Sequence, residues 1–173
     1  MPQADFSPVA ETVRTFDFSF TRPANSTPYT IGDVMADSAT APTILKISEA
    51  FRFDGAGDLI TSLRLSTDNK LWAGTQVRLY FYNDAVTAQN DNAAFNQLYA
   101  NVAKGAGYID ITFDTAATGT STDMVAGQNT TDRLGIQAPT AGNDIYMIPV
   151  ILTGSTPTSG QKFYGKLTVI QGG

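Results

Sequence analysis

The residues Val77-Arg78-Leu79-Tyr80-Phe81-Tyr82 are apolar or aromatic at every position but one. Side chains alternate across a strand, so Val77, Leu79 and Phe81 face one side while Tyr80 and Tyr82 face the other. A strand with two apolar faces needs cover on both, which places this stretch near the middle of a sheet. The helical signal follows directly. Ala94, Phe95, Leu98, Tyr99 and Val102 recur at three- and four-residue steps, and Asp91 or Asn92 stands where a cap belongs. The spacing predicts a short helix over 91–102.

The rest of the chain reads as short strands between turns. Thr12 to Phe20 sets Phe16, Phe18 and Phe20 against Thr15, Asp17 and Ser19, the pattern of a half-buried strand. In Thr21 to Ser38, Pro23, Pro28 and Gly32 interrupt regular structure and leave room for edge pairings at Tyr29–Ile31 and Val34-Met35. Ile44 to Phe53 alternates and then slips in phase, which predicts a bulge near Glu49-Ala50. Asp54 to Asp58 is a turn, and Leu59 to Ser66 is expected to return antiparallel as a hairpin with Leu63 and Leu65 inward. Tyr108 to Phe113, Leu134 to Ile136, Asp144 to Thr153 and Lys162 to Gln171 supply further strands. Pro149 cannot donate to a ladder and predicts a bulge or an edge at that point. About eight strands and one helix in a connection imply an all-β, antiparallel β-sandwich, of jelly-roll type. A closed barrel is the alternative.

A chain of 173 residues suffices for one well-cored domain. Residues 1–11 contain two prolines and no periodicity and read as an N-terminal arm, followed by a single domain over 12–173. In an assembling protein such an arm can lace neighbours together, with Phe6 and Val9 as anchors. The first residues lack a basic segment followed by an apolar run, so no signal peptide is expected. With a net charge of -5 and Lys and Arg scattered singly, nucleic acid is not an expected partner. Neither is a membrane, since no apolar run approaches the length that spans one.

Cysteine and histidine are both absent. Thiolate chemistry, Ser-His-Asp and Cys-His catalysis and most transition-metal sites therefore have no ligands or bases to use. Catalysis would fall to carboxylates such as Asp33 with Asp37, Asp54 with Asp58, Asp84 with Asp91, or Asp110 with Asp114. Most of these begin turns, where an aspartate bonds its local backbone. The 54–58 segment lacks the alternating ligands and final Glu of a calcium loop. No enzyme, cofactor or metal is expected.

The segment TRPANSTPYTIGDVMADS at 21–38 resembles a stretch of small tailed-bacteriophage virion proteins. The aromatic strand with its continuation, VRLYFYNDAVTAQNDNAAF, and the closing SGQKFYGKLTVIQ are similar to the same family, in the same order. The resemblance implies a capsid decoration (cement) protein made in the host cytoplasm and bound to the exterior of the virion shell. Its partners would be the major capsid protein and itself, as a homotrimer. No functional residue carries over from the family; Phe6, Val9, Arg22 and Tyr29 are this chain's own candidate assembly contacts. A different class is a carbohydrate- or receptor-binding head of a fibre or tail, read through the Thr-rich loop 115–132.

Overall fold

The computed structural model describes residues 12–52, 57–114, 125–138 and 142–171. Its strands are β1 (Thr12–Thr21), β2 (Leu45–Ile47), β3 (Gly57–Thr67), β4 (Gln76–Tyr82), β5 (Gly105–Thr112), β6 (Val125–Asn129), β7 (Leu134–Gln137), β8 (Ile145–Ile151) and β9 (Lys162–Gln171). A four-residue helix, α1 (Tyr99–Val102), and a 3-10 turn at Lys70–Trp72 complete the elements.

Two antiparallel sheets form. One runs β1-β9-β3, with β6 and β7 sharing the lane beyond β3; the other runs β2-β8-β4-β5. β6 lies against residues 63–67 of β3 and β7 against residues 57–60, so the two behave as one strand interrupted at 130–133. Eight lanes in this order are two Greek keys rolled together, the jelly roll. β4 lies between β8 and β5, the central position its two apolar faces require.

The main core fills the space between the sheets. Phe20, Ile60, Leu63, Leu65, Val77, Leu79, Phe81, Ile109, Ile111, Met147, Ile151, Phe163, Leu167 and Val169 all point into it. Trp72 anchors one end, with ring centroids 4.9 Å from Phe163, 5.8 Å from Phe113 and 6.1 Å from Tyr29. A smaller core lies on the outer face of the second sheet. There Val34, Ala36, Tyr82, Val86, Ile148 and Val150 pack with Tyr80, Phe95 and Tyr146.

Several expectations change. β2 ends after three residues because Glu49 takes a left-handed conformation, φ 55°, so a turn replaces the expected bulge. β2 and β3 belong to different sheets and form no hairpin; β3 instead pairs β9, β6 and β7. The predicted helix over 91–102 shrinks to α1. Asn92 sits at φ 60°, which breaks a helix at its first turn. β8, containing Pro149, is not an edge strand. β2 pairs only with residues 145–147, and Met35 N–H donates to the Pro149 carbonyl at 3.0 Å. Pro149 thus faces the irregular 33–36 segment, where its missing N–H interrupts no ladder.

Two glycines mark close approaches. A Cβ at Gly165 would strike the ring of Phe18, which lies across from it in β1. A Cβ at Gly127 would strike the Thr112 backbone carbonyl, where β6 closes on β5. An aromatic ring can swing aside more readily than a sheet backbone. Gly165→Ala is therefore expected to lower stability by about 1–3 kcal/mol, and Gly127→Ala by more. Urea unfolding midpoints of the two variants would show this order, and equal losses would contradict it.

Candidate functional site

Two long connections cross the outer face of the second sheet: 22–44, between β1 and β2, and 83–98, between β4 and α1. They are laced to each other by backbone bonds. Val34 N–H donates to Ala93 O at 2.8 Å, Asn92 N–H to Val34 O at 2.9 Å, Phe95 N–H to Gly32 O at 2.8 Å and Asp91 N–H to Ser38 O at 2.9 Å.

At the centre of this lacing sits a buried ion pair. Arg22 Nη2 donates to Asp91 Oδ2 at 2.7 Å, and the two side chains are 0% and 1% exposed. Arg22 also donates to the Asn25 carbonyl and side-chain oxygens, both at 3.3 Å, and its guanidinium lies 4.5 Å from the Tyr29 ring centroid. Asp91 Oδ1 accepts the Tyr29 hydroxyl at 2.5 Å and Ala36 N–H at 3.0 Å. Each charge thus meets an opposite charge and several further bonds, which is what makes a buried pair tolerable. Burial, then the hydrogen bond to Asp91 and its charge, hold the Tyr29 hydroxyl far above its ordinary range. Burial pushes Tyr82, under the same connections, up to about 12.

Asp54 lies outside the described residues, and four of the other aspartates have identified partners. Asp33 accepts Thr30 N–H at 2.6 Å, and Asp37 accepts Thr43 N–H at 2.8 Å. Asp110 holds Arg78 through bonds of 2.7 and 2.9 Å, and the Arg78 guanidinium stacks 3.7 Å from the Tyr108 ring centroid. Backbone bonding to Ala85 N–H, then Lys104, draws Asp84 below the usual carboxylate range. Among the described residues no group of three acidic side chains is arranged to hold a metal ion. No helix of the described residues is long and apolar enough to cross a membrane.

Of the residues singled out as assembly contacts, Arg22 and Tyr29 are each 2% exposed. They are internal struts that offer no side-chain surface to a neighbour, because each satisfies Asp91 instead. Phe6 and Val9 lie outside the described residues, as does most of the Thr-rich loop; its 125–129 portion is β6. The apolar surface lies elsewhere, at Ile31, Leu71, Leu98, Tyr99 and Val102, with Tyr99 93% exposed. The helical periodicity of 94–102 was the available signal for three of these, but it implied burial of residues that face solvent. A groove of about 460 Å³ crosses the outer face of the first sheet, lined by Asp17, Arg64, Ser66, Tyr164 and Lys166.

Removing one partner of the buried pair strands the other charge. Asp91→Ala is expected to cost about 3–5 kcal/mol, and the double variant Arg22→Met/Asp91→Leu clearly less than the sum of the single ones. Urea unfolding of the four proteins tests this, and additive losses would contradict it. The tyrosines predict the alkaline limit. Unfolded tyrosines release their protons near 10, whereas folded Tyr82 holds its proton to about 12. Stability is therefore level in this respect below about pH 10 and falls as pH rises from there. Melts between pH 8 and 12 should show the fall, made shallower by Tyr82→Phe.

No family model matches the sequence, and no curated protein gives a significant match. Among solved structures, the K1 cleaved adhesin domain of Lys-gingipain from Porphyromonas gingivalis W83 is similar at 10% identity and TM-score 0.35, covering 92% of this chain and 99% of that one. The Clostridium thermocellum xylanase 10B CBM22-1–GH10 modules, solved with xylohexaose, align at 11% identity and TM-score 0.30, covering 93% of this chain and 26% of that one. Desmodium yellow mottle tymovirus aligns at 13% identity and TM-score 0.25, covering 99% of this chain and 88% of that one. These scores are too low to bear on function, and the fold assignment rests on strand order.

Proposed function

We propose that this chain is a structural protein that binds the outer surface of a tailed-bacteriophage capsid shell and stabilises it. What supports the reading is the sequence resemblance of 21–38, 77–95 and 159–171 to small virion proteins. The first two segments contain Arg22 and Asp91, the two halves of the buried pair. The protein works by contact rather than turnover. Its partners are the major capsid protein and further copies of itself, as a homotrimer, on the exterior of the virion. The mechanism is added interface across the joints between capsid subunits, which favours the assembled shell over its dissociated parts. Ile31 and Leu71, exposed on connections that the fold holds in place, are suited to such contact.

A second reading, a glycan- or receptor-binding head, draws on the groove beside Tyr164, whose half-exposed ring and flanking Arg64 could meet a sugar. Trp72 is fully buried and would not report such binding directly, so tyrosine fluorescence is the appropriate optical probe.

Quantitative mass spectrometry of purified particles decides between them. A copy number near that of the major capsid protein, together with a lower disruption temperature for particles lacking this chain, is the expected result. A few copies per particle, with binding to soluble glycans, would move the assignment to a fibre or tail. Absence from the particle would discard both.

A further inference from the structure

Strand register sets the side chains on the outer face of the first sheet in rows. One row runs Asp17, Lys166, Arg64 and Gln128 across β1, β9, β3 and β6. The next runs Ser19, Tyr164 and Ser66. Neighbours across strands on one face stand about 5 Å apart, so each row presents its groups together.

In the first row, Lys166 Nζ donates to Asp17 Oδ1 at 2.6 Å. Arg64 is exposed and has Lys166 on one side and Gln128 on the other. Gln128 Nε2 donates to Ser62 Oγ at 3.4 Å, and neither neighbour can neutralise a guanidinium. The groove lining thus holds two cations, Arg64 and Lys166, against one carboxylate, Asp17. That local excess of positive charge stands on a chain whose net charge is -5, and it favours an anionic ligand. A guanidinium presents parallel N–H donors that meet a carboxylate in two bonds, a fit that an ammonium cannot reproduce.

In the second row, Tyr164 is 49% exposed and has a serine on each side. Ser66 Oγ donates to the Tyr164 carbonyl at 3.2 Å, which keeps that hydroxyl low against the sheet. Small neighbours leave the tyrosine standing clear, with the groove of about 460 Å³ beside it. Small-ligand sites run from roughly 300 to 1,000 Å³. A pyranose turns C–H groups to one face and hydroxyls to its rim, which matches an aromatic face bordered by polar groups. An acidic peptide would satisfy the cations but make no use of the tyrosine face.

We propose that this groove binds a carboxylated sugar, with the pyranose ring against Tyr164 and the carboxylate held by Arg64. Lys166 and Asp17 meet hydroxyls on the rim. The inference rests on the glycan-binding reading above and narrows its ligand; it does not depend on attachment to a capsid.

The test is calorimetric titration of the full chain with two acidic sugars and their uncharged counterparts. Trigalacturonic acid is set against its methyl ester, and sialyllactose against lactose. At least one acid should bind, roughly tenfold or more tightly than its counterpart, and more weakly as salt is raised. Which acid binds distinguishes a uronate from a sialic acid as the source of the carboxylate. Arg64→Gln should abolish the preference for the acid and Arg64→Lys restore only part of it. Tyr164→Ala should weaken acidic and neutral sugars alike, with melting curves verifying that each variant folds. Binding of neither acid would overturn the proposal. So would an acid that Arg64→Gln binds as tightly as the parent does, or hexaglutamate bound as tightly as the acidic sugars. Neutral sugars bound as tightly as the acids, through Tyr164, would overturn it while leaving the glycan-binding reading in place. No sugar bound at all would remove both.

Discussion

A guanidinium and a carboxylate taken out of water together are stable only if nearly every polar atom of the pair finds a partner. Arg22 and Asp91 meet that condition using Tyr29, Asn25 and the Ala36 N–H, all contributed by the connection that leaves β1. The arrangement depends on position as well as strength. Asp91 can be reached only if 83–98 folds back over the outer face of the second sheet, and the backbone lacing of 32–38 to 91–95 follows from that path. The small core of Val34, Tyr82, Val86, Ile148 and Val150 is then enclosed beneath the two connections. The pair and the backbone lacing act together to keep Tyr80, Tyr82, Ile148 and Val150 under cover.

This second layer explains why β4 has two apolar faces. Val77, Leu79 and Phe81 fill the space between the sheets, while Tyr80 and Tyr82 sit under loops rather than under a third sheet or a helix. Tyr80 stacks on Phe95 at 4.6 Å, so an aromatic that looked like one turn of a helix is instead part of the cover. The first sheet has no such cover among the described residues. Its outer face carries Asp17, Arg64, Tyr164 and Lys166, and β1 pairs with β9 alone among the described strands. Among the described residues, then, the second sheet has its outer face covered and the first does not.

Much of this was legible in the residues. Period-two alternation located β1, β3, β5 and β9, and the doubly apolar β4 was placed at the centre of its sheet. Failures came where a local pattern competed with a distant partner. Asp91 followed by Ala94, Phe95 and Leu98 satisfies the rules for a capped helix, but its carboxylate is taken by Arg22, 69 residues away in sequence. Arg22 and Tyr29 looked like surface residues in a Pro-rich segment, because nothing local shows that an aspartate will come to meet them. The β2–β3 hairpin failed for a related reason. Adjacent strands joined by a Gly-containing turn commonly pair, yet a jelly roll sends them to opposite sheets.

The sequence by itself determined the class of fold and much of the chemistry open to it. Alternation sets which residues face inward, and a chain without Cys or His has no thiolate or imidazole to deploy. Only the tertiary structure decided which strand pairs with which, where the second core lies and which charges are buried. Those outcomes depend on contacts between residues far apart in the chain, and local periodicity contains no information about such distances.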